Sequence, residues 1–214
     1  MIGLDVRPVA VGPFQANCFL VREGSDAIVI DPGAEEERLA SLLAAWEVKP
    51  RAIVLTHAHV DHVGAVAGLV RRFGCPVYLH PDDAALYRGA ADQGAMFGIP
   101  VESPPGPDVW MEHGQMLHFG GIELEVRHAP GHSPGGVVLV ARGLAFVGDC
   151  VFAGSIGRTD LPGGDTRTLL SSIREQILTL PPDTALYSGH GPATTVRAEA
   201  ASNPFLVGTP QWLT

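Results

Sequence analysis

The stretch THAHVDHVGA at residues 56–65 places His57, His59, Asp61 and His62 within six positions, directly after the apolar run RAIVL at 51–55. RAIVL reads as a strand, so the donors stand where a strand ends. Burying unpaired imidazoles and a carboxylate together carries a desolvation penalty, which packing alone does not explain. A compact loop with alternate residues projecting together can instead bring nitrogen and oxygen donors within roughly 2 Å of a metal ion. The stretch is therefore expected to be a metal-binding loop.

The same habit recurs along the chain: a hydrophobic strand ends and a His or Asp follows. It is seen in AIVID at 27–31, AIVLTH at 52–57, LAFVGD at 144–149 and ALYSGH at 185–190. Around these lie further β-type runs, DVRPVAV and CFLVR near the start and PVYLH at 76–80. QMLHFGGIELEVRHA turns at Gly120 and Gly121, and GGVVLVARGLAFVGD turns at Arg142 and Gly143. Helices are predicted over 34–46, with acids in the first turn, over VGAVAGLVRRFG closed by Gly74, over 165–178 and over 195–203. Residues 98–110, GIPVESPPGPDVW, read as a long loop. The order of elements predicts two sheets stacked face to face with helices outside, a four-layer αββα arrangement of the α/β class, as one domain over 1–214. Strand ends along one edge of such stacked sheets are where loops converge on a site.

Three more donors follow strands. His132 lies in APGHSPGG at 129–136, where Gly131, Gly135 and Gly136 permit a tight fold, and His190 is flanked by glycines in YSGHGP. Asp149 sits between apolar runs and needs a cation or hydrogen bonds if buried. With the first cluster these make five His and two Asp, enough for two adjacent metal sites with open positions for water and substrate. His80, His113, His118 and His128 are read as structural or surface residues. Asp31 is expected to support a loop or orient a ligand, and Cys150, with no paired base, to be structural.

The motif His57-Ala58-His59-Val60-Asp61-His62, followed in order by His132, Asp149 and His190, resembles the metallo-β-lactamase superfamily over essentially the whole chain. The resemblance implies that His57, His59 and His132 hold one metal, that Asp61, His62 and His190 hold the other, and that Asp149 bridges them. GSIGRTDLPGGD at 154–165 and NPFL at 203–206 are similar to the short, single-domain bacterial glyoxalase II-like hydrolases, without most of the C-terminal helical region that longer enzymes use to hold glutathione. Two divalent transition-metal ions are thereby implied, zinc first, with iron or manganese suited to the same donors. The implied reaction is hydrolysis of a small-molecule acyl-thiol thioester, with S-lactoylglutathione as the type substrate. Paired cations lower the pKa of a bound water so that hydroxide attacks the carbonyl carbon. Asp61, with a spare oxygen, is the candidate to orient that hydroxide and move its proton. Arg158 is the candidate to meet a substrate carboxylate, against the alternative of a salt bridge with Asp160 that fixes the loop.

Composition narrows the alternatives. A net charge of −9, with Lys49 the single lysine among 14 cationic residues, argues against a nucleic-acid partner and against the RNA-processing members of the superfamily. No apolar run reaches the roughly 18 residues a membrane span requires, and the first residues lack a secretory pattern, so a cytoplasmic location is expected and β-lactamase activity is disfavoured. Cys18, Cys75 and Cys150 are odd in number and lack CxxC spacing, which suggests neither a disulfide framework nor a thiolate zinc site. Two readings compete with the hydrolase: a persulfide dioxygenase using one iron held by two His and one Asp, and a non-catalytic metal-binding module. Oligomeric state is not legible in the sequence.

Overall fold

The structure is a computed structural model that describes residues 3–207; the expected domain of 1–214 extends beyond them at both ends. The first sheet is built from β1 (Asp5–Val11), β2 (Ala16–Glu23), β3 (Asp26–Ile30), β4 (Pro50–Val54), β5 (Val77–Leu79) and β6 (Val109–Trp110), in that spatial order. The second takes β7 (Met116–Phe119), β8 (Ile122–His128), β9 (Val137–Ala141), β10 (Leu144–Gly148), β13 (Ala185–Ser188) and β14 (Thr194–Thr195), in the order β14-β13-β10-β9-β8-β7. A small hairpin, β11 (Val151–Phe152) with β12 (Ser155–Ile156), stands apart. The helices are α1 (Glu36–Ala45), α2 (Val60–Val63), α3 (Val66–Phe73), α4 (Ala84–Arg88), α5 (Ala90–Met96), α6 (Thr166–Ser172) and α7 (Val196–Ser202).

The period of two along each strand decides the layering. In CFLV of β2, Phe19 and Val21 pack between the sheets with Ile28, Ile30 and Val54 of the first sheet and Leu124, Leu139 and Phe146 of the second. Cys18 and Leu20 point the other way, into a core with Leu39 and Leu43 of α1 and Val66 and Leu69 of α3. Both faces of the strand are covered, so it reads as a continuous apolar run rather than an alternating one. On the far side, Val138, Ala145 and Leu186 pack under Leu169 and Ile173. The result is the four-layer αββα arrangement expected from the sequence. Each fully buried Leu, Ile, Val or Phe in these layers contributes about 1.5–3 kcal/mol of transfer free energy.

Several elements differ from their expected form. The histidine-rich stretch is not all loop: Val60–Val63 forms a helical turn, and α3 begins after a break at Gly64 and Ala65, where the Ala65 N–H donates to Pro32 O (2.9 Å). Gly74 ends α3 in the left-handed region (φ 62°), as expected. The helix expected over 165–178 runs from Thr166, capped by Asp165, and after Ser172 it widens into a π-type turn over Ile173–Ile177, with the Leu178 N–H reaching Ile173 O (2.9 Å). Helices α4 and α5 form over residues with no assignment from the sequence, and the loop expected over 98–110 is shorter than that, because Val109 and Trp110 pair with Tyr78 and Leu79 as β6.

Strands β3 to β6 are mutually parallel, and β10 pairs in parallel with β13. The carboxyl ends of β3, β4, β10 and β13 carry Asp31, the 56–62 stretch, Asp149 and His190. Loops at the carboxyl ends of parallel strands are the usual position of a site in an α/β sheet. Two contacts join these ends across the sheets: the Val137 N–H donates to Thr56 O (2.8 Å) and the Asn17 N–H to Gly189 O (2.7 Å).

Candidate metal centre

All seven predicted ligands come together, in two groups. In the first, the donor atoms of His57, His59 and His132 lie within 4.8 Å of one another, and in the second so do those of Asp61, His62 and His190. Asp149 faces both. One carboxylate oxygen lies 3.6 Å from His62 Nε2, and the other lies 3.5 Å from both His132 Nε2 and His190 Nε2.

The hydrogen bonds on the far side of each ring fix which nitrogen faces the centre. His132 Nδ1 donates to the Arg158 carbonyl (2.7 Å), His62 Nδ1 to Asp31 Oδ2 (3.1 Å) and His190 Nδ1 to the Phe14 carbonyl (3.2 Å). Each ring then turns its Nε2 inward, the second-sphere arrangement typical of metal-binding histidines. His57 Nε2, His62 Nε2 and Asp149 Oδ1 are buried without any hydrogen-bond partner, and His59 Nδ1 approaches His132 Nε2 to 2.9 Å. Unpartnered buried acceptors of this kind are costly unless a cation lies among them, so the donor set fits two metal ions. These N and O donors suit zinc, iron and manganese alike.

Electrostatics divide the rings. Burial, and then its histidine neighbours, push His57 well below the ordinary histidine range; burial and His132 bring His59 down to about 3. Burial acts the same way on His62, but Asp61, Asp149 and Asp31 outweigh it and its pKa is pushed up to about 10. Burial would raise the Asp61 carboxyl, yet His62 and the hydrogen bond from His190 hold it below the usual range. That same hydrogen bond is the main cause of the raised pKa of His190.

Supporting residues explain why these loops hold their shape. Asp31 is fully buried in the left-handed region (φ 51°), which Asp tolerates better than most residues, and its two oxygens accept from the Thr56 N–H (2.7 Å), the Thr56 hydroxyl (2.5 Å) and His62. This matches the expected orienting role. Asp83, which the sequence reading passed over, accepts from the Ala58 N–H (2.9 Å), the Ser133 hydroxyl (2.9 Å) and the Gly135 N–H (2.6 Å). One buried carboxylate thereby ties the His57/His59 loop to the His132 loop. Gly189 is required by space: a side chain there would collide with the Asp149 carboxylate and the His62 ring. In NPFL, Asn203 is buried and donates to the Ser155 carbonyl (2.9 Å), fastening the hairpin that precedes the GRTD loop.

Arg158 borders the cavity, and its exposed guanidinium pairs with both oxygens of Asp160 (2.7 Å each). Cys18, Cys75 and Cys150 are buried free thiols, and burial followed by Asp149 pushes Cys150 up to about 12, too high for a thiolate nucleophile near neutrality. His118 is on the surface beside Glu123, and the rings of His80 and His128 stack 4.0 Å apart. Among the described residues no helix is long and apolar enough to cross a membrane.

Five of the seven candidate ligands, His59, Asp61, His132, Asp149 and His190, line a cavity of about 410 Å³. Its walls are largely apolar, with Phe14, Phe97 and Phe152 on the His190 side and Ile156 and Leu161 near Arg158.

Comparison with known proteins yields a match of residues 11–190 to the metallo-beta-lactamase superfamily. The chain is similar to the hydroxyacylglutathione hydrolase GloC of Haemophilus influenzae, at 39% identity over 95% of this chain and 98% of that one. Among solved structures it is similar to the BLEG-1 B3 metallo-beta-lactamase, with a TM-score of 0.91 and 39% identity over 95% of this chain and all of that one. It is also similar to TTHA1623 in a di-iron-bound form, with a TM-score of 0.88 and 47% identity over 94% of this chain and all of that one.

Proposed function

This chain belongs to the metallo-beta-lactamase superfamily, and on that footing we propose that it is a metal-dependent hydrolase of acyl-thiol thioesters, of the hydroxyacylglutathione hydrolase type. The observation that carries the reading is the pair of donor groups, each of which opens onto one cavity through some of its members, with the Asp149 carboxylate facing both. The GloC relative, matched over nearly its whole length, supports the choice of thioester over the β-lactam implied by the name of BLEG-1. Three buried free thiols accord with a reducing, cytoplasmic setting.

In this reading His57, His59 and His132 would hold one metal and Asp61, His62 and His190 the other, with the Asp149 carboxylate available to both. When bound, two such cations lower the pKa of a water toward neutrality and draw electron density from the thioester carbonyl. The chain's own residues do the rest. Asp61 borders the cavity with one oxygen 3.2 Å from His190 Nε2, placed to accept a proton from the attacking water. The Arg158 carbonyl, Asp31 and the Phe14 carbonyl keep the rings of His132, His62 and His190 from turning. Arg158 supplies positive charge at the cavity edge for the carboxylates of a glutathione-like thiol, exchanging Asp160 for substrate.

Protein purified without added metal and then reconstituted with zinc or iron should hold close to two ions per chain by elemental analysis and hydrolyse S-lactoylglutathione. Occupancy that never exceeds one ion, with oxygen uptake on glutathione persulfide and no thioester cleavage, would replace this reading with the mononuclear dioxygenase one. Arg158→Ala should raise KM for an anionic thioester several-fold more than for a neutral one, since a charge-assisted hydrogen bond contributes about 1.5–3 kcal/mol when formed and less at an exposed site. Equal effects on the two substrates would confine Arg158 to bracing its loop against Asp160.

A further inference from the structure

The cavity is chemically two-sided. On the side of His132 its edge carries Arg158, the one Arg or Lys among the described residues that line it, together with Ile156 and Leu161. On the side of His190 the described lining residues carry no charge beyond the candidate ligands themselves. There Phe14, whose carbonyl takes the His190 Nδ1 hydrogen bond, meets Phe97 edge to face with ring centroids 5.5 Å apart, and Phe152 lies edge-on to the His190 ring at 6.1 Å. Phe14 and Phe97 are 41% and 49% exposed, large apolar surfaces left open at the mouth of a site. Neither ring hangs on a loose segment. Phe14 lies in a turn closed by the Gln15 N–H to Gly12 O and anchored by the Gly12 N–H to Glu35 (2.8 Å), and Phe97 caps the C-terminus of α5. A rigid aromatic pair loses little conformational freedom when a ligand covers it, which favours binding.

From this we infer that the Phe14, Phe97 and Phe152 face is a subsite for an apolar acyl group, so that the preferred substrates are thioesters of hydrophobic acids rather than of small hydroxy acids. The inference rests on the thioester reading and assigns the two halves of that substrate by charge. A glutathione-like thiol is anionic and belongs with Arg158; the acyl half is left to the aromatic side, where a carbon chain removes both its own surface and the two phenyl faces from water.

The metal-reconstituted protein can be tested with two non-hydrolysable thioethers, S-hexylglutathione and S-methylglutathione, by calorimetric titration. S-hexylglutathione should bind roughly tenfold more tightly, below the full-burial limit because the rings stay partly open to solvent. In Phe97→Ala, checked for native circular dichroism, the ratio should fall to about threefold or less. Equal affinities in the wild type, or a ratio untouched by Phe97→Ala, would overturn the subsite. A ratio untouched while sedimentation shifts would assign Phe97 to contact with a second copy, also overturning it. Turnover separates the two claims. Preferential S-hexylglutathione binding with no cleavage of hexanoylglutathione or lactoylglutathione leaves the subsite standing and removes the hydrolase reading, whereas cleavage of both without preference does the reverse.

Discussion

Asp149→Asn is expected to lower thioester turnover on the order of 100- to 1,000-fold, the largest functional effect of any single change considered, because shared-ligand charge compensation in a two-metal site is a matter of several kcal/mol. The reason is geometric. Its two oxygens face His62 Nε2 at 3.6 Å and His132 and His190 Nε2 at 3.5 Å, so one side chain serves both ligand groups, and one of those oxygens is buried with no protein partner. The amide keeps the shape and removes the negative charge, and it aims an N–H at lone pairs. Metal content and turnover should fall together, whereas His118→Asn, on the surface beside Glu123, should leave both near the wild-type values. An Asp149→Asn protein that keeps two ions and full turnover would refute the bridging role.

The second large effect concerns stability. Asp83→Ala is expected to cost about 3–5 kcal/mol, since it leaves the Ala58 and Gly135 N–H groups and the Ser133 hydroxyl buried without an acceptor and opens a void beside them. Burial pushes the Asp83 carboxyl above the ordinary aspartate range and its hydrogen bonds only partly restore it, so the benefit lies in the closed hydrogen-bond set and not in the charge. Urea denaturation of the metal-free protein should show the lowered midpoint with an unchanged slope. Because the same carboxylate sets the spacing of the His57/His59 and His132 loops, metal affinity should also drop by about 10- to 100-fold. A midpoint shift worth less than 1 kcal/mol would mean that neighbouring water or backbone replaces the lost acceptor.

What could be read from the sequence follows from how local each signal is. The candidate ligands were legible because Asp149 and His190 follow closely on apolar strands, and because three imidazoles and a carboxylate in six residues have no packing explanation. The layers were legible because the strands are apolar on both faces. Helices α4 and α5 were not, since Gly89 and Gly94 interrupt them and Ala-rich turns carry little amphipathic pattern. The turn at Val60–Val63 was hidden because the side chains that matter there are chosen for coordination rather than for helical propensity. Asp83 was invisible for a different reason: its three donors come from residues 58, 133 and 135, and HPDD by itself is an ordinary acidic turn. The aromatic face shares that property, as Phe14 and Phe97 meet only through the fold.

The chain order of the two sheets has one more consequence. Every strand of the first sheet precedes residue 111 and every strand of the second follows residue 115, so the molecule is written as two consecutive halves. The proposed ligands divide the same way: His57, His59, Asp61 and His62 belong to the first half, and His132, Asp149 and His190 to the second. Each metal group draws on both. Ions held there act as rivets through a seam, and their binding free energy adds to the cohesion of the halves rather than to either one alone. On the proposed reading the atoms that would hold the ions would also fasten the two halves, so removing the metal should loosen the seam between the sheets.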